Sequence, residues 1–99
     1  MFEDIYNIED PERNFNNVGR RIIKLSEELG ELSEAYLSYT NPNSYKNKQY
    51  EDIIEEAVDC AIVSLDILVT LIKEDKQLAY TVFEKKLNKW RKQLETDSN

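Results

Sequence analysis

Hydrophobic positions repeat with the period of an α-helix along most of this chain. Between Val18 and Tyr39 the apolar residues are spaced 4, 3, 4, 3, 4 and 3 positions apart, and only a helix places such a series on one side. The pattern predicts a first helix over 18–40. The helix must end there because 41–44 is turn-forming and Pro42 disfavours helical backbone at the residue before it.

Two further helices are predicted, over 49–73 and 76–95. The second half of the 49–73 helix is apolar on almost every side, and its only charges between 57 and 72 are Asp59 and Asp66. Apolar residues all round a helix are typical of a helix surrounded by protein. We expect Asp66 to form a structural ion pair with the third helix rather than to anchor a substrate-binding lysine.

Residues 1–17 show no sustained hydrophobic period and are predicted to form an N-terminal arm. The chain of 99 residues has the length of a single domain. Its 2 Gly and 2 Pro are too few for the turns of a many-stranded β protein. The predicted fold class is therefore all-α, with one domain over 1–99.

Charge and cysteine content restrict the environment and the partners. The 13 basic and 20 acidic residues give a net charge of -7, which repels nucleic acids and anionic membranes. We therefore expect no nucleic acid and no membrane as a partner. The single cysteine, Cys60, cannot form an intramolecular disulfide, and no apolar run follows a basic N-terminal start. These features predict a reduced, cytoplasmic location.

Two pairs of acidic residues occupy matched positions beside the apolar stripes of the first two predicted helices. An advance of about 100° per residue places Glu28 and Glu31 roughly 60° and 120° from the centre of the first stripe. Glu56 and Asp59 lie at about the same two angles on the second helix. When these helices pack against each other, the two pairs are expected to face one another.

Such pairs are either solvated charges at the edge of the core or ligands of a cation. No Lys or Arg occurs from 49 to 72, so Glu56 and Asp59 lack a counter-charge on their own helix. Burying Asp59 in ionised form would be costly without a cation or hydrogen-bond donors. A metal ion supplies that cation. Carboxylate oxygens suit Mg²⁺, with Mn²⁺ as a substitute, and the chain has no histidine for softer metals.

Protein-bound Mg²⁺ commonly also binds substrate phosphates, so this acidic site predicts a nucleotide or pyrophosphate ligand. The polyphosphate then needs nearby cations, which Lys24 and the basic residues of 85–92 can supply. Each has an alternative interpretation. Lys24 lies one turn before Glu28, at the spacing of a helical ion pair, and the 85–92 cluster has the pattern of a solvated helix face.

Two short motifs in this sequence resemble one enzyme family. The segment KLSEELGEL at 24–32 resembles the first signature of the MazG-like, all-α nucleoside triphosphate pyrophosphohydrolases, and EEAVD at 55–59 resembles the second. The shared pattern is ExxE followed by ExxD on the next helix. The segment FEKKLNKW at 83–90 is similar to the basic segment that follows in many members, and the resemblance extends over about 18–90.

The resemblance implies a Mg²⁺-dependent enzyme that cleaves a nucleoside triphosphate between its α and β phosphates, releasing a monophosphate and pyrophosphate. It implies Glu27 as the base that orients or deprotonates the attacking water. Lys86 and Lys24 would bind the phosphates and neutralise their charge. The metal ligands implied by motif position are Glu28, Glu31, Glu56 and Asp59.

The family also implies oligomers, which agrees with the composition of the second helix. A three-helix chain cannot cover a helix that is apolar all round, so a homodimer or homotetramer is expected to complete the bundle. Two other functions stay open. One is a phosphoribosyl-ATP pyrophosphohydrolase-like enzyme, whose related fold has a similar ExxD helix. The other is a non-catalytic helical protein that binds a nucleotide or metal and acts as a regulator.

Overall fold

The computed structural model describes residues 2–41, 43 and 47–98, and every regular element within them is helical. This confirms the all-α class. None of the described helices is long and apolar enough to cross a bilayer. In chain order the elements are α1 (Phe2–Asn7), a short 3₁₀ helix (Phe15–Asn17), α2 (Val18–Thr40), α3 (Tyr50–Glu74) and α4 (Lys76–Ser98).

The N-terminal arm has more structure than its sequence pattern suggested, because it contains α1 and the 3₁₀ helix. The long helices lie close to the predicted ranges; α3 is shifted by one residue, and α4 extends to Ser98 instead of 95. At the end of α2, Asn41 leaves the helical region with φ -100° and ψ 108°. The predicted turn residues Pro42 and Ser44 lie outside the described residues.

Helices α2 and α3 form an antiparallel pair whose register is visible at three levels. At one end Arg21 contacts Asp66. In the middle Glu31 lies beside Glu56, and at the other end the backbone N–H of Lys48 donates to Ser38 Oγ at 3.3 Å. The residue number rises on one helix as it falls on the other. The acidic pairs predicted to face each other therefore lie at the same height along the helix axes.

Helix α3 is central to the described structure, because α1, α2 and α4 all pack against it. Only Asp75 separates α3 from α4, and its Oδ1 accepts a hydrogen bond from the N–H of Leu78 at 3.2 Å. An aspartate at this position satisfies an unpaired N–H in the first turn of the following helix. Helix α4 therefore starts directly after α3 and folds back against its C-terminal part.

The three neighbours leave much of α3 uncovered. The buried apolar residues among those described are Val18, Ala35, Val69 and Ile72. Further towards the N-terminus of α3, Ile54, Val58 and Ile62 are 48–49% exposed. A single copy therefore does not surround α3 with protein, which agrees with the expectation that three helices cannot cover a helix that is apolar on almost every side.

Asp66 pairs with arginines from the N-terminal region, so the expected ion pair with the third helix is wrong. Arg13 donates to Asp66 Oδ1 from Nη2 at 2.8 Å and from Nε at 3.0 Å. Arg21 Nε donates to Asp66 Oδ2, and Arg21 Nη2 reaches Asp10 Oδ2 at 3.0 Å. Burial opposes ionisation of Asp66, but hydrogen bonds from Arg21 and Arg13 prevail and lower its pKa. This network fastens the arm to α2 and α3.

Replacing Asp66 with asparagine is expected to destabilise the fold at neutral pH by roughly 1–3 kcal/mol, because two partly buried guanidinium groups lose their charged acceptor. A lowered pKa in the folded state means that the stabilisation is present at neutral pH and is lost as the pH falls through that pKa. Urea unfolding followed by circular dichroism at several pH values measures both effects. The exposed Asp97→Asn is the control, and a difference between Asp66→Asn and wild type that persists undiminished in strong acid would contradict this account.

Candidate metal centre

The acidic cluster is formed by Glu28 and Glu31 of α2 with Glu56 of α3. Each side chain places one carboxylate oxygen within 4.8 Å of the oxygens from the other two. Glu28 and Glu31 are three residues apart and so lie on one side of α2, and the antiparallel register sets Glu56 opposite them. Three hard oxygen donors from two helices can therefore bind one divalent cation.

Two oxygens of this cluster are buried and lack a hydrogen-bond partner in the part of the chain that the structure describes. The Glu28 carboxylate is only 5% exposed; its Oε1 accepts from Lys24 Nζ at 2.9 Å, while its Oε2 has no donor. Oε2 of the half-buried Glu56 is also buried and has no donor among the described residues. A buried carboxylate oxygen without a donor carries a desolvation cost. A cation between the two side chains would remove that cost.

The surroundings of Glu56 favour the protonated form of its carboxyl group. Burial raises the Glu56 pKa, and hydrogen bonding with Glu31 raises it further, as does repulsion from Glu31, Asp59 and Glu28. A pKa raised in the folded state means that the ionised form destabilises the fold as the pH rises through that pKa. Without a cation the cluster therefore works against stability, which is typical of a functional site.

Asp59, the fourth predicted ligand, is exposed and lies outside the cluster of three. The cost of burying an ionised Asp59 therefore does not arise in a single copy, because the neighbouring part of α3 is open to solvent. Its charge is still close enough to raise the pKa of Glu56. Asp59 thus stands at the margin of the cluster, one turn along α3 from Glu56.

The other predicted site residues differ in their distance from the cluster. Glu27 is exposed beside the cluster on α2. Lys24 reaches Glu28, and that hydrogen bond together with the charge of Glu28 raises the Lys24 pKa. Lys86 lies on α4 beside Leu68 of α3, which is 12 residues or about 18 Å along the helix from Glu56. A single copy therefore does not bring Lys86 to the carboxylates.

The donors present suit a hard divalent metal. The chain has no histidine, and burial, followed by the negative charges of Glu28 and Glu56, raises the pKa of the Cys60 thiol. A thiol with a raised pKa is a poorer nucleophile at neutral pH than an ordinary cysteine, and Cys60 is not among the three residues whose ligand atoms converge. Oxygen ligands remain, and they match Mg²⁺ and Mn²⁺.

Two residues that line a pocket beside the cluster were not identified from the sequence. The pocket has a volume of about 530 Å³ and is lined by Glu31, Glu34, Asn47, Lys48 and Glu56. Asn47 and Lys48 belong to the linker between α2 and α3, which the hydrophobic pattern marks only as a polar connection. The linker joins the two acidic helices and is short. Its closeness in sequence to both helices was the one feature of the sequence that could have placed Asn47 and Lys48 near the carboxylates.

Comparison with protein-family models, with curated proteins and with solved structures gave no match to this chain. The family resemblance therefore depends on the two acidic motifs, and the structure adds the spatial convergence of Glu28, Glu31 and Glu56.

Glu56→Gln is expected to raise the thermal unfolding midpoint of the metal-free protein at neutral pH and to weaken Mn²⁺ binding about 10-fold or more. The first effect follows from removing a destabilising charge, and the second from losing a ligand, since even outer partners of metal ligands alter affinity by ~10–100-fold. Thermal unfolding with and without Mn²⁺ measures both. Glu55→Gln is the matched control on the same helix. A Glu56→Gln protein that is less stable without metal and still binds Mn²⁺ normally would make Glu56 a purely structural acid.

Proposed function

We propose that this protein is a Mg²⁺-dependent nucleoside triphosphate pyrophosphohydrolase that yields a nucleoside monophosphate and pyrophosphate. The observation that supports this proposal is the convergence of Glu28, Glu31 and Glu56, with one buried oxygen of Glu28 and one of Glu56 lacking a donor among the described residues. A divalent cation would satisfy these oxygens, and a hard cation in a carboxylate site commonly binds phosphates.

The bound metal would act as a Lewis acid that neutralises charge on the phosphate oxygens. Glu28, Glu31 and Glu56 would hold it, with Asp59 as the further ligand implied by the second motif. Glu27 lies beside the ligands and is exposed, so its carboxylate can accept a proton from a water molecule that attacks the α phosphorus. The bond from the α phosphorus to the bridging oxygen then breaks, and pyrophosphate leaves. Lys24, already paired with Glu28, would add positive charge near the phosphates.

The test is release of pyrophosphate from a panel of nucleoside triphosphates, with and without Mg²⁺. The proposal expects Mg²⁺-dependent release, and it expects Glu56→Gln and Asp59→Asn to reduce turnover by about 100-fold or more while helix content stays unchanged, because each removes a charge that stabilises the transition state. Glu55→Gln is again the matched control.

Three results of this assay would redirect the assignment. Turnover of phosphoribosyl-ATP alone would favour the related pyrophosphohydrolase. Metal binding without turnover of any triphosphate would favour a non-catalytic binding protein. Full turnover in both variants would contradict the proposed ligands.

We further propose that the protein functions as a homodimer or homotetramer. The support is the apolar surface that one copy leaves open. Ile54, Val58 and Ile62 of α3 are about half exposed, and Trp90 of α4 is 58% exposed, although such side chains are normally buried. A second copy packed against α3 would cover this surface and complete a bundle.

Sedimentation equilibrium is expected to give twice or four times the mass of the chain. Val58→Glu would place a charge in the proposed interface, and we expect it to shift the protein towards monomers by about 10-fold or more in dissociation constant. Glu51→Gln, an exposed change at the start of α3, is the control. A monomeric wild-type protein at high concentration would contradict this proposal.

A further inference from the structure

The pocket beside the acidic cluster is lined by a lysine that the proposed function has not used. Lys48 lines this pocket together with Asn47, Glu31 and Glu56. Within residues 2–41, 43 and 47–98 the Lys48 ammonium has no carboxylate partner. Lys24, by contrast, already donates to Glu28. Among the described residues that line this pocket, Lys48 is therefore the basic side chain available to an anionic ligand.

The linker is held in place on both sides of the Lys48 side chain. The Lys48 N–H donates to Oγ of the buried Ser38 on α2 at 3.3 Å. The next N–H, that of Gln49, donates to Oδ2 of Asp52 in the first turn of α3 at 2.7 Å. Two successive backbone groups thus bind one to each acidic helix. This anchoring keeps the Lys48 backbone beside the cluster and lowers the entropy cost of binding a ligand there.

The charge of the pocket determines when an anion can enter. Among the described residues its lining includes the acidic side chains of Glu31, Glu34 and Glu56 and the basic side chain of Lys48. The carboxylates of Glu31 and Glu56, which lie close together in the cluster, repel a polyanion. A divalent cation held by the cluster would neutralise much of this negative charge, and the anion would then meet metal on one side and Lys48 on the other. The volume of about 530 Å³ lies within the range of small-ligand pockets, ~300–1,000 Å³.

We propose that Lys48, assisted by the Asn47 amide, binds the oxyanions of a diphosphate group in this pocket, and that it does so only when the carboxylate cluster holds a divalent cation. This inference rests on the proposed function, because the cluster must bind a metal first. The phosphate-binding residue would then lie on the linker, whereas the sequence had predicted Lys86 of α4. The linker then acts as part of the site as well as a connection between the acidic helices.

The experiment measures two binding steps separately in the full-length protein. Electron paramagnetic resonance follows Mn²⁺ binding alone, and calorimetry follows inorganic pyrophosphate with and without Mg²⁺. Lys48→Met is expected to weaken Mg²⁺-dependent pyrophosphate binding by about 10–100-fold, the value of one charge-assisted hydrogen bond, without weakening Mn²⁺ binding. Lys48→Arg should retain most of the pyrophosphate affinity. Lys76→Met, which removes the same charge at the start of α4, should behave as wild type.

The outcomes separate this inference from the function on which it rests. Equal pyrophosphate affinity in Lys48→Met and wild type, with Mn²⁺ bound normally, would overturn the role of Lys48 and leave the metal centre intact. An equal loss of pyrophosphate affinity in Lys76→Met would show that the effect comes from the net charge of the protein. That result would also overturn the role of Lys48. Pyrophosphate binding of equal strength without Mg²⁺ would contradict the required order. Failure of wild-type protein to bind Mn²⁺ would reject the metal centre and this inference together.

Discussion

The antiparallel register of α2 and α3 is the constraint on which the rest of the structure depends. At one end Asp66 binds Arg13 and Arg21, and at the other the linker is fastened through Ser38. These contacts leave the helices no freedom to slide by a turn, so the side chains between them are placed at fixed levels. The carboxylates meet in that middle section, where a shift of one turn would move a ligand by about 5.4 Å.

The cluster that this register creates is unfavourable by itself. Burial, followed by the neighbouring carboxylates, raises the pKa of Glu56, and the buried oxygens of Glu28 and Glu56 have no donors in the described parts of the chain. The arginine network has the opposite character, because opposite charges and hydrogen bonds satisfy Asp66 there. One end of the helix pair therefore supplies stability. The middle holds a group of carboxylates whose burial and mutual repulsion are unfavourable, and a bound cation would offset both costs. This division between a stabilising end and a costly centre is what a binding site in a small fold requires.

The sequence predicted the helices, because they follow from the helical period. It also predicted that four carboxylates meet, and three of them do, because the apolar stripes of α2 and α3 pack against each other. It did not predict the exposure of Asp59, which depends on how much of α3 one copy can cover. The partners of Asp66 were also missed, since Arg13 lies in an arm without any periodic pattern. Lys48 was missed because a linker carries no period, and its position follows only from the ends of the two helices that it joins.

A crystal structure of the protein grown or soaked with Mn²⁺ tests the central claim most directly, because anomalous scattering locates the metal without reference to activity. The account predicts an anomalous peak between α2 and α3, coordinated by oxygens of Glu28, Glu31 and Glu56. Mn²⁺ bound elsewhere, with these three carboxylates turned apart into solvent, would contradict it.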